Sequence, residues 1–156
     1  MKITLEQSAP DFSLYDTEKK KISLSSLRGN NVLLLFFPQA FTGVCTKELC
    51  SIRDNIGFYE HTHAKVLGIS VDSVFTLAKY KEEQQYNFPL LSDFNKEVSE
   101  QYGSLYTDWI LDMKGVSKRS AFLIDKNGLV KYAEVLENAG ELPDFNTIEQ
   151  ILKGLD

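Results

Sequence analysis

A chain of 156 residues with 43% hydrophobic and 12% aromatic content carries enough apolar side chain to build one globular domain with a core, and argues against disorder. Its net charge of −5, with acids and bases interspersed, offers no basic surface to nucleic acid or an anionic membrane. The longest apolar run, VLLLFF at 32–37, is too short for a membrane span, and MKITLEQSAPDF lacks the apolar region of a signal peptide. A reducing cytoplasm is therefore the expected location, where a permanent structural disulfide is disfavoured.

In chain order, DFSLYD and KKISLS predict two short strands around a charged turn at 17–20. NNVLLLFFP is apolar without alternation, as expected of a strand covered on both faces in a parallel sheet. A helix follows, in which Cys45, Leu49, Ile52 and Ile56 recur at helical spacing and Gly57 is a natural stop. AKVLGISVD predicts a second buried strand, so 32–71 make a strand–helix–strand unit. A second helix spans about 73–85, opened by Asp72 or Ser73. NFPLLSD reads as extended and KEVSEQYG as a short helix ending at Gly103. Residues 104–118, which include Trp109, read as a long irregular loop. SAFLID and GLVKYAEVL predict a hairpin around 125–128, with Asn127-Gly128 as the turn signal. A last helix begins near Asp144 and lines up Phe145, Ile148, Ile151, Leu152 and Leu155 on one stripe. The expected architecture is α/β: a mixed sheet flanked by helices, in a single domain over 1–156.

The chemistry concentrates in FFPQAFTGVCTKELC at 36–50, which holds both cysteines of the chain. Zinc takes about four ligands, and the only other candidates of that kind, His61 and His63, read as solvated residues between a helix and a strand. A thioredoxin-type dithiol needs Cys-X-X-Cys, whereas this segment has Thr42-X-X-Cys45. Five helical residues separate Cα atoms by about 8–9 Å, and a disulfide requires about 7 Å or less. Cys45 and Cys50 can bond only if the helix unwinds.

Cys45 lies in the first turn of a helix that leaves the carboxyl end of a buried strand, where open α/β sheets bind ligands. Free N–H groups and the helix dipole favour a thiolate there. Thr42 is placed to cap that helix with its oxygen near the Cys45 N–H. On residue chemistry alone, packing remains open as an alternative for Cys45 and more strongly for Cys50, which lies about 140° further round the helix.

PQAFTGVCTKELC resembles the active-site signature of the peroxiredoxins, Pro-X-X-X-Thr-X-X-Cys. Its tail CTKELC is similar to the bacterioferritin-comigratory or Q-type branch, in which a second cysteine follows by five residues. APDFSLYD, VLGISVDS, FPLLSD and KRSAFLIDKNGLV resemble further peroxiredoxin segments in the expected order. The resemblance implies a thioredoxin-like fold with an N-terminal β-hairpin extension. It also implies a thiol peroxidase that reduces hydrogen peroxide and organic hydroperoxides without cofactor or metal.

Position by position, the resemblance makes Cys45 the peroxidatic cysteine and Thr42 the hydroxyl that orients the peroxide. Pro38 would shield the thiolate from water, and Arg119, a partly exposed arginine, would support the thiolate and the peroxide oxygens. Glu48, three residues after Cys45, would pair with Arg119 or else be an ordinary surface acid of the helix, and the resemblance makes Cys50 the resolving thiol. Thioredoxin or a similar dithiol would recycle the protein, as a monomer or homodimer. A one-Cys mechanism with an external thiol and a redox-responsive binding module are the alternatives. Trp109, Ile110 and Leu111 are candidates for core or for a self-association surface.

Overall fold

The computed structural model describes residues 2–155. Ser13–Asp16 (β1) and Lys21–Ser23 (β2) pair antiparallel across the charged turn, with Leu14 opposite Ile22. Asn31–Phe36 (β3) follows and is buried at every residue. Its side chains alternate between two cores, Leu33 and Leu35 into one and Val32, Leu34 and Phe36 into the other. Because both faces meet apolar partners, the strand needs no polar face, hence its unbroken hydrophobic run.

Helix Gly43–Asp54 (α1) leads through Ile56–His61 (α2) to Ala64–Ser70 (β4), which lies parallel to β3 with Leu34 beside Leu67. Val74–Gln84 (α3) and Leu90–Ser92 (β5) repeat the crossover. Glu97–Gln101 (α4) follows, then Leu105–Tyr106 (β6) and Val116–Ser117 (β7), and then the hairpin of Ser120–Ile124 (β8) and Val130–Val135 (β9). Phe145–Gly154 (α5) ends the fold, with Asp144 accepting the Thr147 N–H as its cap. The seven-stranded sheet runs β2-β1-β5-β4-β3-β8-β9. Apolar residues of α1, α2, α3 and α5 cover one face, while α4 and the N-terminal segment cover the other. Among the described residues no helix is long and apolar enough to cross a membrane.

Two expectations change, and one is narrowed to a single residue. The break after α1 falls at Asn55 (φ −118°, ψ 18°), and Gly57 lies inside α2. A helical glycine weakens a helix by only about 1 kcal/mol, too little to end one whose Tyr59 docks in the core. Ser73, not Asp72, caps α3 by accepting the Thr76 N–H; Asp72 is engaged elsewhere. Residues 104–118 are not irregular: β6 and β7 form a two-stranded ladder, Tyr106 opposite Val116. Buried serine hydroxyls fasten it, Ser99 to Ser117 at 2.7 Å and Ser120 to Ser104 at 2.9 Å. Ile110 and Leu111 at its tip are exposed, which removes them from the core, and Trp109 is half-buried.

Candidate active site

The site begins where β3 ends. Phe37 and Pro38 are buried, and the chain then turns through 39–42 into α1. Phe41 takes a left-handed conformation (φ 65°) that a bulky residue adopts only under constraint. The constraint is visible on both sides: the Ala40 N–H donates to Asp72 Oδ2 at 2.8 Å, and the Phe41 ring packs on Tyr80 with centroids 4.9 Å apart. Ser70 Oγ donates to the same Asp72 oxygen at 2.7 Å and holds it in place at the end of β4. Asp72 thus ties the loop before α1 to the neighbouring strand.

Thr42 occupies the capping position of α1 but makes no side-chain cap. Its hydroxyl instead donates to the Gln39 carbonyl at 2.8 Å, which locks the loop rather than the helix end. The first α1 bond runs from the Thr46 N–H to the Thr42 carbonyl at 3.0 Å. The amides of Gly43, Val44 and Cys45 therefore stay outside the helical ladder, as at any helix start.

Strand register brings the cation to the sulfur. β8 runs antiparallel to β3 with Ser120 opposite Phe36, so Arg119 sits at the carboxyl end of β3 where α1 begins. Its Nη2 donates to Cys45 Sγ at 3.2 Å, its Nη1 to Glu48 Oε1 at 2.7 Å, and its Nε to the Ala139 carbonyl at 2.8 Å. Arg119 is 1% exposed and Glu48 0%, which corrects the expectation of a partly exposed arginine. An arginine at a strand start is free to fold inward when three acceptors satisfy its fork, and here they do.

The second Glu48 oxygen, Oε2, is buried without a hydrogen-bond partner. Burial pushes the Glu48 carboxyl up to about 7, against the lowering pull of the Arg119 charge. For Arg119 burial opposes the charge, but Glu48 and Cys45 beside it outweigh burial and hold the guanidinium protonated. A single cation thus faces two acidic groups in a dry setting.

Cys50 lies apart from this cluster. It is half-buried, its Sγ 3.5 Å from Gln84 Oε1 and 3.8 Å from the Tyr86 hydroxyl. Both cysteines are free thiols within one unbroken helix, at a Cα spacing of about 8–9 Å by helical geometry. Of the residues expected at the site, Cys45, Arg119 and Glu48 are in direct contact, Thr42 lies one turn before Cys45, and Pro38 is buried at the head of the loop. Asp72 escaped the sequence reading, because its place before α3 gave it an equally good use as a helix cap.

The AhpC/TSA family model matches residues 5–133. The chain belongs to the peroxiredoxin family. Alkyl hydroperoxide reductase E of Mycobacterium tuberculosis is 37% identical over 140 residues, covering 88% of each chain. The mitochondrial thioredoxin-dependent peroxide reductase of Drosophila melanogaster is 30% identical over 97% of this chain and 65% of that protein. Among solved structures, peroxidoxin BcpB of M. tuberculosis superposes with a TM-score of 0.85 at 30% identity, over 97% of both chains. The reduced 2-Cys peroxiredoxin of Plasmodium vivax gives 0.85 at 28% identity, over 96% of this chain and 80% of that one. The thioredoxin-like fold of these peroxiredoxins is the fold of this chain, and thiol-dependent peroxidase chemistry comes with the family.

Proposed function

We propose that this peroxiredoxin is a cytoplasmic, thioredoxin-dependent peroxidase in which Cys45 is the peroxidatic thiol and Cys50 resolves it. The observation that carries the reading is the contact of Arg119 Nη2 with Cys45 Sγ, 3.2 Å in a buried site at a helix start. A guanidinium at that distance stabilises negative charge on sulfur, and a thiolate is the nucleophile. The sulfur attacks one oxygen of the peroxide, the O–O bond breaks, and water or alcohol leaves behind a sulfenic acid. Arg119 and the free amides at the start of α1 are already oriented to meet the charge that moves onto the departing oxygen. The Thr42 hydroxyl, whose proton is committed to Gln39, offers its lone pairs to a peroxide O–H. Buried Pro38, without an N–H, keeps the loop dry at no hydrogen-bond cost.

The Cys50 thiol then attacks the sulfur of the Cys45 sulfenic acid, forming the S–S bond as the S–O bond breaks and the hydroxyl leaves as water with the Cys50 proton, after the first turns of α1 unwind. A dithiol protein restores both thiols by exchange, and the name of the Drosophila relative favours thioredoxin in that role. Exposed Ile110 and Leu111, adjacent at the tip of the 104–118 ladder, offer apolar surface for a homodimer, which light scattering would detect. Peroxide-dependent NADPH oxidation with thioredoxin and its reductase is the test; it should be robust in the native chain and absent in Cys45→Ser. A specific observation favours a one-Cys reading as the second choice: Cys50 Sγ points to Gln84 and Tyr86 rather than to Cys45. Turnover with a small external thiol that survives Cys50→Ser would select it.

A further inference from the structure

The Cys45–Arg119–Glu48 cluster has a proton balance that the peroxidase reading leaves open. Arg119 brings one positive charge, and it donates to Cys45 through Nη2 and to Glu48 through Nη1. All three side chains are essentially dry, at 1%, 1% and 0% exposure. If Cys45 and Glu48 were both ionised, one negative charge would be buried without a partner; if both were neutral, the guanidinium would be. Either state is strongly unfavourable in a dry interior. The neutral arrangement has one proton shared between the two acids. Before attack, with sulfur as thiolate, that proton belongs to the carboxyl group.

The carboxyl geometry says where. Oε1 receives the Nη1 hydrogen bond, whereas Oε2 is buried with no partner. An unpartnered O–H in a dry pocket costs far less than an unpartnered half of a carboxylate charge. Burial pushing Glu48 up to about 7 acts in the same direction. The ionisable group acting on Glu48 is Arg119, at the start of β8; Cys45, one turn earlier on the Glu48 helix, shares that guanidinium.

We propose that Glu48 stores, on Oε2, the proton that the peroxide reaction delivers to its departing oxygen, and takes over from Cys45 as the anionic partner of Arg119. This rests on the peroxidase reading above. The step balances: Cys45 thiolate, Glu48 carboxylic acid and ROOH give Cys45 sulfenic acid, Glu48 carboxylate and ROH. Sulfur gives two electrons to the new S–O bond, the O–O bond breaks, and the leaving alkoxide or hydroxide ends with the Glu48 proton. The cluster is neutral before and after. Arg119 needs no movement, because Nη1 already holds the group that becomes its counter-charge. Glu48 thus serves as a proton reservoir, and through its bond to Nη1 it also holds Arg119 beside Cys45.

Glu48 is the one buried glutamate among the described residues, which makes it spectroscopically distinct. The test uses Cys50→Ser protein, so that oxidation stops at sulfenic acid with α1 intact, labelled with carboxyl-¹³C glutamate. Infrared spectra are taken just below neutral pH before and after one equivalent of peroxide. The reduced protein should show a ¹³C-shifted carboxylic acid band that is lost on oxidation as carboxylate appears. Adding Glu48→Gln should abolish that band and make the reaction take one proton from solvent per peroxide, read by an indicator dye in weak buffer, where the parent takes none. If that variant does not fold, the labelled parent still decides. Peroxide is measured in the same sample. Consumption without the band change overturns the proton assignment alone. No consumption overturns the peroxidase reading and this assignment with it.

Discussion

Replacing Arg119 by alanine removes three hydrogen bonds at once and strands Glu48 in the interior. The consequence depends on pH, and its sign follows from the carboxyl group. When Glu48 is neutral, the variant loses hydrogen bonds and leaves acceptors unsatisfied, a cost of about 1–3 kcal/mol. When Glu48 is ionised, it becomes a buried charge without a partner, and breaking such a pair costs about 3–5 kcal/mol. Against a total stability of roughly 5–15 kcal/mol the variant should still fold, but with a margin that narrows as pH rises. Urea unfolding at about pH 5 and about pH 8 measures this, the loss relative to the native chain being larger at the higher value. Peroxide reduction by the folded fraction should slow by about 100- to 1,000-fold, the range for losing a preorganised charge donor. Adding Glu48→Leu should recover stability without recovering rate, because it removes the stranded acid but not the missing cation. A single variant with native stability at both pH values and a near-native rate would refute the placement of Arg119 at the reacting sulfur.

In the native chain, the folded state keeps the Glu48 proton up to about 7 whereas the unfolded chain releases it near 4.5, so stability from this group falls as pH rises between those values. The difference amounts to roughly 3 kcal/mol, and Glu48→Gln should flatten that part of the urea-midpoint profile; superimposable profiles would speak against a carboxyl group that holds its proton. Thr42→Val should slow peroxide reduction more than Thr42→Ser, since serine keeps the lone pairs and the bond to Gln39. Equal rates for the two would reduce Thr42 to a steric feature. One equivalent of peroxide should remove both thiol hydrogens from the peptide holding Cys45 and Cys50, with loss of helicity and new protease cleavage around Thr42 to Ser51, reversed by dithiothreitol. Cys50→Ser should accumulate sulfenic acid and overoxidise more readily; a stable sulfenate in the native chain would make it a one-Cys enzyme.

Much of this was written locally. The unbroken apolar run of β3, the helical spacing of Cys45, Leu49 and Ile52, and the Asn127-Gly128 turn, with Gly128 at φ 86°, are short-range patterns that any tertiary context has to accommodate. So was the placing of Cys45 in the first turn of a helix, because Thr42 and the apolar periodicity mark where the helix starts. The motif around it carried the family resemblance for the same reason. What the tertiary structure decided are the partners distant in sequence. Arg119 beside Lys118 has the local look of a surface residue, and only the register of β8 on β3 turns it onto a sulfur 74 residues away. Glu48 has the spacing of an ordinary helix-surface acid until that guanidinium arrives to accept it in the core. Asp72 precedes α3 and has the local look of a helix cap, and the packing of the 39–42 loop against β4 gave its carboxylate to the Ala40 N–H instead. The ladder at 104–118 has too few residues per strand to show a period of two, and it stands because serine hydroxyls from α4 and β8 meet it. Local periodicity can say which face of an element is buried; which charge waits on the other side is set only when strands pair in register.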